Sequence, residues 1–294
     1  MSGSSASWSA PGTRTIDGDV YVSPRHLAST TAVGDPGLDP LRNLGWELHH
    51  DDLGNAYLNA PDRRVRLGYL PEGEDDGLWR INAYKDPFGL PLWGVCFNDS
   101  APTEFVTAFT TALAAAYERG PDRYLARPVS GSKDRDPFLA IDPLVNRGWL
   151  FDCPRGGVFA VQSPDGLAAL EYTTGDLVAE IELTTRDARW QLWAGTSLSR
   201  PFWYATFSTD TPVALLKAVT ESVCDPAPLP RWRESTYSYV EDLAQLTPIL
   251  PPRPPGPTPL DVQRLASRRP AALPTTSVPR WSTTSRLALP SPRH

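Results

Sequence analysis

Apolar and polar residues alternate with a period of two over several short stretches. Val65, Leu67 and Tyr69 alternate with Arg64, Arg66 and Gly68, and Trp79, Ile81 and Ala83 alternate with Arg80, Asn82 and Tyr84. Successive strand side chains point to opposite faces, so each stretch predicts a strand with one buried face. Trp93, Val95 and Phe97 mark the buried face of the next strand. Asn55 to Asn59 gives a further strand, closed by the turn dipeptide Pro61-Asp62. Gly45 to His50 reads as the start of a short one. The period then lengthens: Phe105, Val106, Phe109, Ala112, Leu113 and Ala116 trace the stripe of a helix, with Asp99 or Ser100 as its expected cap. Such a stripe must be buried, and the apolar face of the sheet is the available surface.

The pattern occurs twice. Asp39-Pro40-Leu41, Asn43 and Gly45-Trp46 return as Asp142-Pro143-Leu144, Asn146 and Gly148-Trp149, an offset of 103 that also carries Pro61-Asp62 onto Pro164-Asp165 and Tyr69 onto Tyr172. The offset is 111 for Trp79 and Trp190, then 110 for Trp93 and Trp203, Phe97 and Phe207, and Pro102 and Pro212. An insertion of eight residues between Tyr172 and Trp190, followed by the loss of one before Trp203, accounts for the change. Three aligned pairs of so rare a residue as Trp identify two homologous units. The second helix, with Thr211-Pro212 at its expected start, carries Leu215, Leu216, Val219 and Val223. Arg25-His26-Leu27-Ala28 is echoed by Arg123-Tyr124-Leu125-Ala126, so each unit has a short leader. The predicted fold is α+β: two tandem repeats, each an antiparallel sheet of about five strands followed by one C-terminal helix packed on it, then a disordered tail.

Composition sets the ends apart. The chain has 294 residues, and a hydrophobic content of 40 % excludes wholesale disorder. Twelve of its 32 prolines lie between Pro248 and Pro292, and seven Arg and one Asp lie between Pro248 and His294. Such a segment cannot offset the entropy of ordering by burial. The expected organisation is a disordered N-terminus at 1–19, a first unit with its leader at 20–120, a second unit at 121–230, an extension at 231–247 that packs on the core, and a disordered Pro/Arg-rich tail at 248–294. Residues 1–230 carry a net charge of −11 and residues 231–294 a net charge of +5. An acidic body repels phosphate backbones, which counts against nucleic acid as a partner. No apolar run is long enough for a membrane helix, and the Ser/Gly/Thr-rich start is unlike a secretory signal. Cys96, Cys153 and Cys224 are sparse and odd in number, as reduced thiols of a cytoplasmic protein are.

The run Asp62-Arg63-Arg64-Val65-Arg66-Leu67-Gly68-Tyr69-Leu70-Pro71-Glu72-Gly73, then Trp79, Asp86-Pro87-Phe88-Gly89, Trp93 and Pro102-Thr103-Glu104, resembles the SPDY domain, the streptomycete family of unknown function numbered 317. The leader Tyr21 to Ala28 is similar to that family too. Ser163-Pro164-Asp165 matches the namesake motif in copy two, followed by Gly166 in place of Tyr, and copy one has Ala60-Pro61-Asp62. The resemblance covers roughly residues 20–225. It implies the duplicated architecture and an actinobacterial setting, and it brings no catalytic residues and no cofactor.

The residues themselves offer little chemistry. There is no Gly-x-Ser-x-Gly elbow, no Gly-x-Gly-x-x-Gly after a strand and no phosphate loop of the Walker type. His49-His50-Asp51-Asp52 has metal-ligand residue types, yet neighbours on a strand diverge and copy two has Phe151-Asp152-Cys153 near this place, so a solvated hairpin is expected and no metal. Glu72, Glu74, Asp75 and Asp76 lie in a Gly-flanked turn with no apolar wall to split their pKa values, so a solvated turn is expected. The tryptophans and their neighbours Trp46, Trp149, Trp93, Trp203, Phe97 and Phe207 are read as the structural core of the repeat. Arg63, Arg64 and Arg66, placed on one strand, with Trp79 and Trp190, are the expected interaction surface. The tail carries Pro248-x-x-Pro251 and Pro252-x-x-Pro255, spacings that dock into aromatic grooves.

The expectation is a non-enzymatic interaction protein whose partner is another protein. The alternative is single-stranded nucleic-acid binding through aromatic sheet faces and the basic tail, by outline likeness to the Whirly class of single-strand binders. A hydrolase using the acidic turn comes third.

Overall fold

Gly45 and Gly148 have φ of 78° and 85°. Each stops a short helix in the left-handed conformation that glycine adopts without steric cost. These helices are α1 (Asp35–Arg42) and α4 (Phe138–Val145). The repeated Asp-Pro-Leu-x-Asn-x-Gly-Trp motif is therefore a helix, its stop and the first inward-facing Trp. The strand expected over Gly45 to His50 is present as Glu47–His50, and the helix before it was not expected. Pro40 and Pro143 sit inside these helices, where proline reads as a breaker. Burial of Leu38 and Leu41, and of Ile141 and Leu144, outweighs the hydrogen bond each proline forgoes.

The computed structural model describes residues 19–73, 76–125, 136–152 and 157–250, and one compact unit runs to Ile249. In copy one α1 leads into β2 (Glu47–His50), β3 (Ala56–Asn59), β4 (Val65–Tyr69), β5 (Trp79–Tyr84), β6 (Pro91–Phe97) and the long helix α2 (Thr103–Glu118). A one-turn helix α3 (Pro121–Tyr124) carries the second leader. Copy two repeats the series with α4, β7 (Leu150–Asp152), β8 (Val158–Gln162), β9 (Ala168–Thr173), β10 (Trp190–Ser197), β11 (Arg200–Phe207) and α6 (Val213–Val223). The insertion between its third and fourth strands contains a helix, α5 (Ala179–Thr184).

The two sheets are one. Ten antiparallel strands lie in the order β2-β3-β4-β5-β6-β11-β10-β9-β8-β7, so the copies join edge to edge through β6 and β11. Ala205 faces Phe97, Thr206 faces Cys96 and Phe207 faces Val95. Because Phe97 is the counterpart of Phe207, the pairing is symmetric about Cys96 and Thr206. Asn98 and Tyr204 extend it at one end, and Gly94 and Ser208 at the other. Within the copies the registers match: Tyr69 pairs with Trp79 as Tyr172 pairs with Trp190, and Ala83 pairs with Trp93 as Ala194 pairs with Trp203.

Helices α2 and α6 begin directly after Pro102 and Pro212 with no side-chain cap. Asp99 accepts instead from the Ser100 hydroxyl, and Thr211 lies beside Ser208, so neither of the expected caps forms.

The leader and the C-terminal extension form a second sheet. Strand β1 (Asp19–Ser23) lies between β12 (Leu229–Trp232) and β13 (Gln245–Pro248), antiparallel to both, with helix α7 (Ser238–Leu243) connecting the outer two. Buried Arg231 on β12 forms a bidentate pair with Glu104 at the start of α2, both contacts at 2.7 Å. The extension thus begins earlier than residue 231, and Pro248 belongs to a strand. The disordered segments expected at 1–19 and 248–294 otherwise lie outside the described residues, as does Cys153. No helix among the described residues is long and apolar enough to cross a membrane.

Candidate functional site

The period-two strands put different chemistry on the two faces of the large sheet. One face packs under α2 and α6: Trp93, Phe97 and Phe109 contact edge to face, and Phe105 lies 5.1 Å from Trp203. Trp46, Trp149, Trp93, Trp203, Phe97 and Phe207 are all buried. So are Trp79 and Trp190, at 1 % and 3 % exposure, which corrects their assignment to an interaction surface. Their register with Phe97 and Phe207 sets them on the helix-covered face, packed at a tilt against Tyr69 and Tyr172.

The other face carries Arg66, Arg80, Asn82, Tyr84, Cys96, Gln191, Trp193, Tyr204 and Thr206. Helix α5 crosses it beside β6. Leu183 lies so close to Gly94 that a Cβ there would stand 2.6 Å from the leucine methyl, so a side chain at this strand position would push Leu183 and Asn82 aside. The counterpart of Gly94 in copy two is Tyr204. Under α5 runs a groove of about 300 Å³ across the seam between the copies. Its charges are paired. Asp76 accepts from the Arg186 guanidinium and, at 2.7 Å, from the Tyr204 hydroxyl, while Arg186 stacks over the Tyr204 ring at 4.3 Å. Burial, reinforced by Asp76, pushes the Tyr204 phenol well above its ordinary value, so it remains a neutral donor. Buried Glu182 accepts from the Thr209 backbone N–H and, at 2.6 Å, from its hydroxyl. None of Arg186, Glu182 and Tyr204 was expected from the sequence. For Glu182 and Arg186 the only signal was the insertion itself, which has no counterpart in copy one to reveal a pattern, and for Tyr204 the counterpart is a glycine.

Of the expected arginines only Arg66 is on strand β4. Arg63 sits at φ 58° in the β3–β4 turn and Arg64 follows it, because the Arg63 N–H closes that turn on the Ala60 carbonyl. Arg66 lies over the Tyr84 ring at 4.7 Å and donates to the Pro87 carbonyl at 2.7 Å. It thereby holds the β5–β6 hairpin. Asp86 tightens the same loop by accepting the Phe88 N–H at 3.0 Å, and the Gly89 N–H donates to the Asp86 carbonyl at 2.9 Å. At the tip of this pinned loop Phe88 and Leu90 are 93 % and 89 % exposed. The equivalent hairpin of copy two turns its Leu198 back against Ala169, Trp193 and Tyr204.

His49 pairs with Glu47 at 3.3 Å, and Asp51 accepts from Leu53 and Asn55, so the His-His-Asp-Asp stretch is a hairpin end whose groups serve the turn. Among the described residues no three His, Cys, Asp or Glu side chains gather as a metal site. In the acidic turn Asp76 is engaged by Arg186 and Tyr204 and is not simply solvated, while Glu74 and Asp75 lie outside the described residues.

The family model described as SPDY, Domain of unknown function (DUF317), matches residues 59–118 and 162–229. The two matches start at equivalent positions, Asn59 and Gln162, and each runs through the strands that follow to the long helix. No curated protein and no solved structure matches the chain.

Proposed function

From a chain that carries the SPDY domain in two tandem copies, we infer a non-enzymatic interaction protein that docks onto another protein through the β5–β6 hairpin of copy one. The observation that carries this reading is the pinned display of Phe88 and Leu90. Two large apolar side chains in water gain free energy when a partner covers them, and a loop already fixed by Asp86 and Arg66 loses little entropy on docking. Rigid aromatic anchors of this kind dominate protein interfaces. Copy two supplies an internal comparison, because its hairpin folds the matching apolar side chain inward. Arg66 reaches this loop at the Pro87 carbonyl and Lys85 precedes it in the chain, so the complementary rim on a partner is acidic.

The test is co-purification from the native host with the full chain and with Phe88→Asp/Leu90→Asp. Both side chains are exposed, so the variant keeps the wild-type unfolding midpoint. The expected result is a protein recovered in stoichiometric amount with the wild type and lost with the variant. Recovery of the same protein by both, or of none by the wild type, overturns the reading. Salt-dependent binding of single-stranded oligonucleotides by the full chain would assign the surface to nucleic acid instead.

A further inference from the structure

The two leaders occupy equivalent seats, but each sits on the copy that does not follow it in the chain. In copy one the Trp93 indole N–H donates to the Tyr124 carbonyl at 2.7 Å, and the Tyr124 hydroxyl donates to Asp62 at 2.8 Å. In copy two the Trp203 indole N–H donates to the His26 carbonyl at 2.8 Å, and His26 Nε2 lies 2.8 Å from Asp165. Trp93 and Trp203 are counterparts, as are Asp62 and Asp165, and Tyr124 and His26. A carboxylate only accepts, so His26 takes the donor role of the tyrosine hydroxyl. Both leader side chains are buried, Tyr124 at 1 % and His26 at 4 % exposure.

Neighbouring contacts agree on the placement. Arg25 donates to the carbonyls of Ala227 and Ser222 and pairs with Asp225 at 3.5 Å, all at the end of α6 in copy two. The His26 ring meets Trp149 of copy two edge-on. Tyr124 packs on Tyr117 of α2 in copy one. Leader one therefore completes copy two, and leader two completes copy one. Together with the symmetric β6–β11 seam, this is the arrangement of a two-fold dimer with exchanged arms, written into one chain.

We propose that the Trp–Asp seat is a recognition site by which one SPDY unit accepts the leader of another, and that its ligand class is a segment reading Arg, then His or Tyr, then Leu-Ala. The indole reads the backbone carbonyl, the carboxylate reads the ring donor, and Leu27 and Ala28 of leader one are buried beside them. Each half of this chain is then the other's partner, held by two seats and the seam. This inference is independent of what the Phe88 hairpin binds.

The experiment uses the full chain with a protease recognition sequence inserted between Leu125 and Asp136. After cleavage leader two stays with copy one, so the His26 seat, the small sheet and the seam join the halves, which are expected to co-elute at the mass of the intact chain through a dilution series. His26→Ala in the cleaved protein is expected to weaken association by at least about tenfold, the scale of one lost buried charged hydrogen bond. A second measurement, on the uncut chain, fixes which copy each leader reads. The unfolding-midpoint losses of His26→Ala and Asp165→Ala are expected to combine to less than their sum, while those of His26→Ala and Asp62→Ala add. Should His26→Ala fail to fold, Tyr124→Phe with Asp62→Asn asks the same question of the other seat. Halves that separate on cleavage, or coupling of His26 to Asp62 in place of Asp165, overturn the proposal.

Discussion

Asp165 shows how a single carboxylate is recruited to hold distant parts of the chain. Burial opposes its charge, but hydrogen bonds from His26 and Ser163 outweigh that cost and hold its pKa well below the ordinary carboxylate value. A folded-state pKa below the unfolded one makes a contribution that is present above the unfolded value and is lost as pH falls towards the folded one. The Asp165 contribution is therefore complete at neutral pH and declines as the solution is acidified below about pH 4. Asp165→Asn is expected to be less stable than the wild type at neutral pH and to converge on it in acid. Urea unfolding midpoints across that range check it, and parallel acid limbs for the two proteins would show that the carboxylate is not engaged. The tryptophans beside it act in the same economical way. Each of Trp93 and Trp203 fills the core with its rings and uses its one polar atom to fix a leader carbonyl, so neither indole N–H is left unpaired.

At the level of elements, alternation and stripe identified nearly every strand of both units and both long helices, because these depend on periods of two and 3.6 that a single face must satisfy. Three features escaped for separate reasons. The short helices α1 and α4 were hidden by an internal proline, whose local preference is overruled by burial of the leucines beside it. Trp79 and Trp190 were offered to solvent because alternation says which residues share a face and not which face is covered; only the pairing with Phe97 and Phe207 decides it. Helix α5 was silent because an insertion present once leaves nothing to compare. That helix is held to the body by Glu182 and by Leu183 over Gly94. Glu182→Ala removes two charge-assisted hydrogen bonds to exposed Thr209, and the expected cost is about 1 kcal/mol. The loss should be local, with faster amide exchange at Thr209 and through α5 and an almost unchanged global transition. A global loss several times larger would mean that α5 belongs to the main core.

For the whole molecule, the repeat announced two units but not that they share one sheet. The seam residues Val95, Cys96 and Phe97 carry no mark of it, since any exposed strand edge offers the same backbone groups. Sharing has a thermodynamic consequence. The copies exchange leaders, pair backbone to backbone across β6 and β11, and bury Phe97, Phe109 and Phe207 in mutual contact. Neither copy can therefore unfold and leave the other intact. Scanning calorimetry of the full chain is expected to give one transition whose van't Hoff and calorimetric enthalpies agree. Two resolved transitions would mean that the halves are independent. The leader exchange was also beyond the reach of sequence, because the echo of Arg25 to Ala28 shows likeness without direction.

The small sheet of β1, β12 and β13 sets a timetable for synthesis. Strand β1 leaves the ribosome before every other described strand, yet both of its neighbours follow all the others, and the Ile249 N–H closes on the Asp19 carbonyl. Until β12 has emerged, β1 has bare backbone groups on both sides and the valines it will bury, Val20 and Val22, lie open to water. The nascent chain must carry that sticky strand until both copies have been made, and a message truncated before β12 would leave it with nothing to pair against.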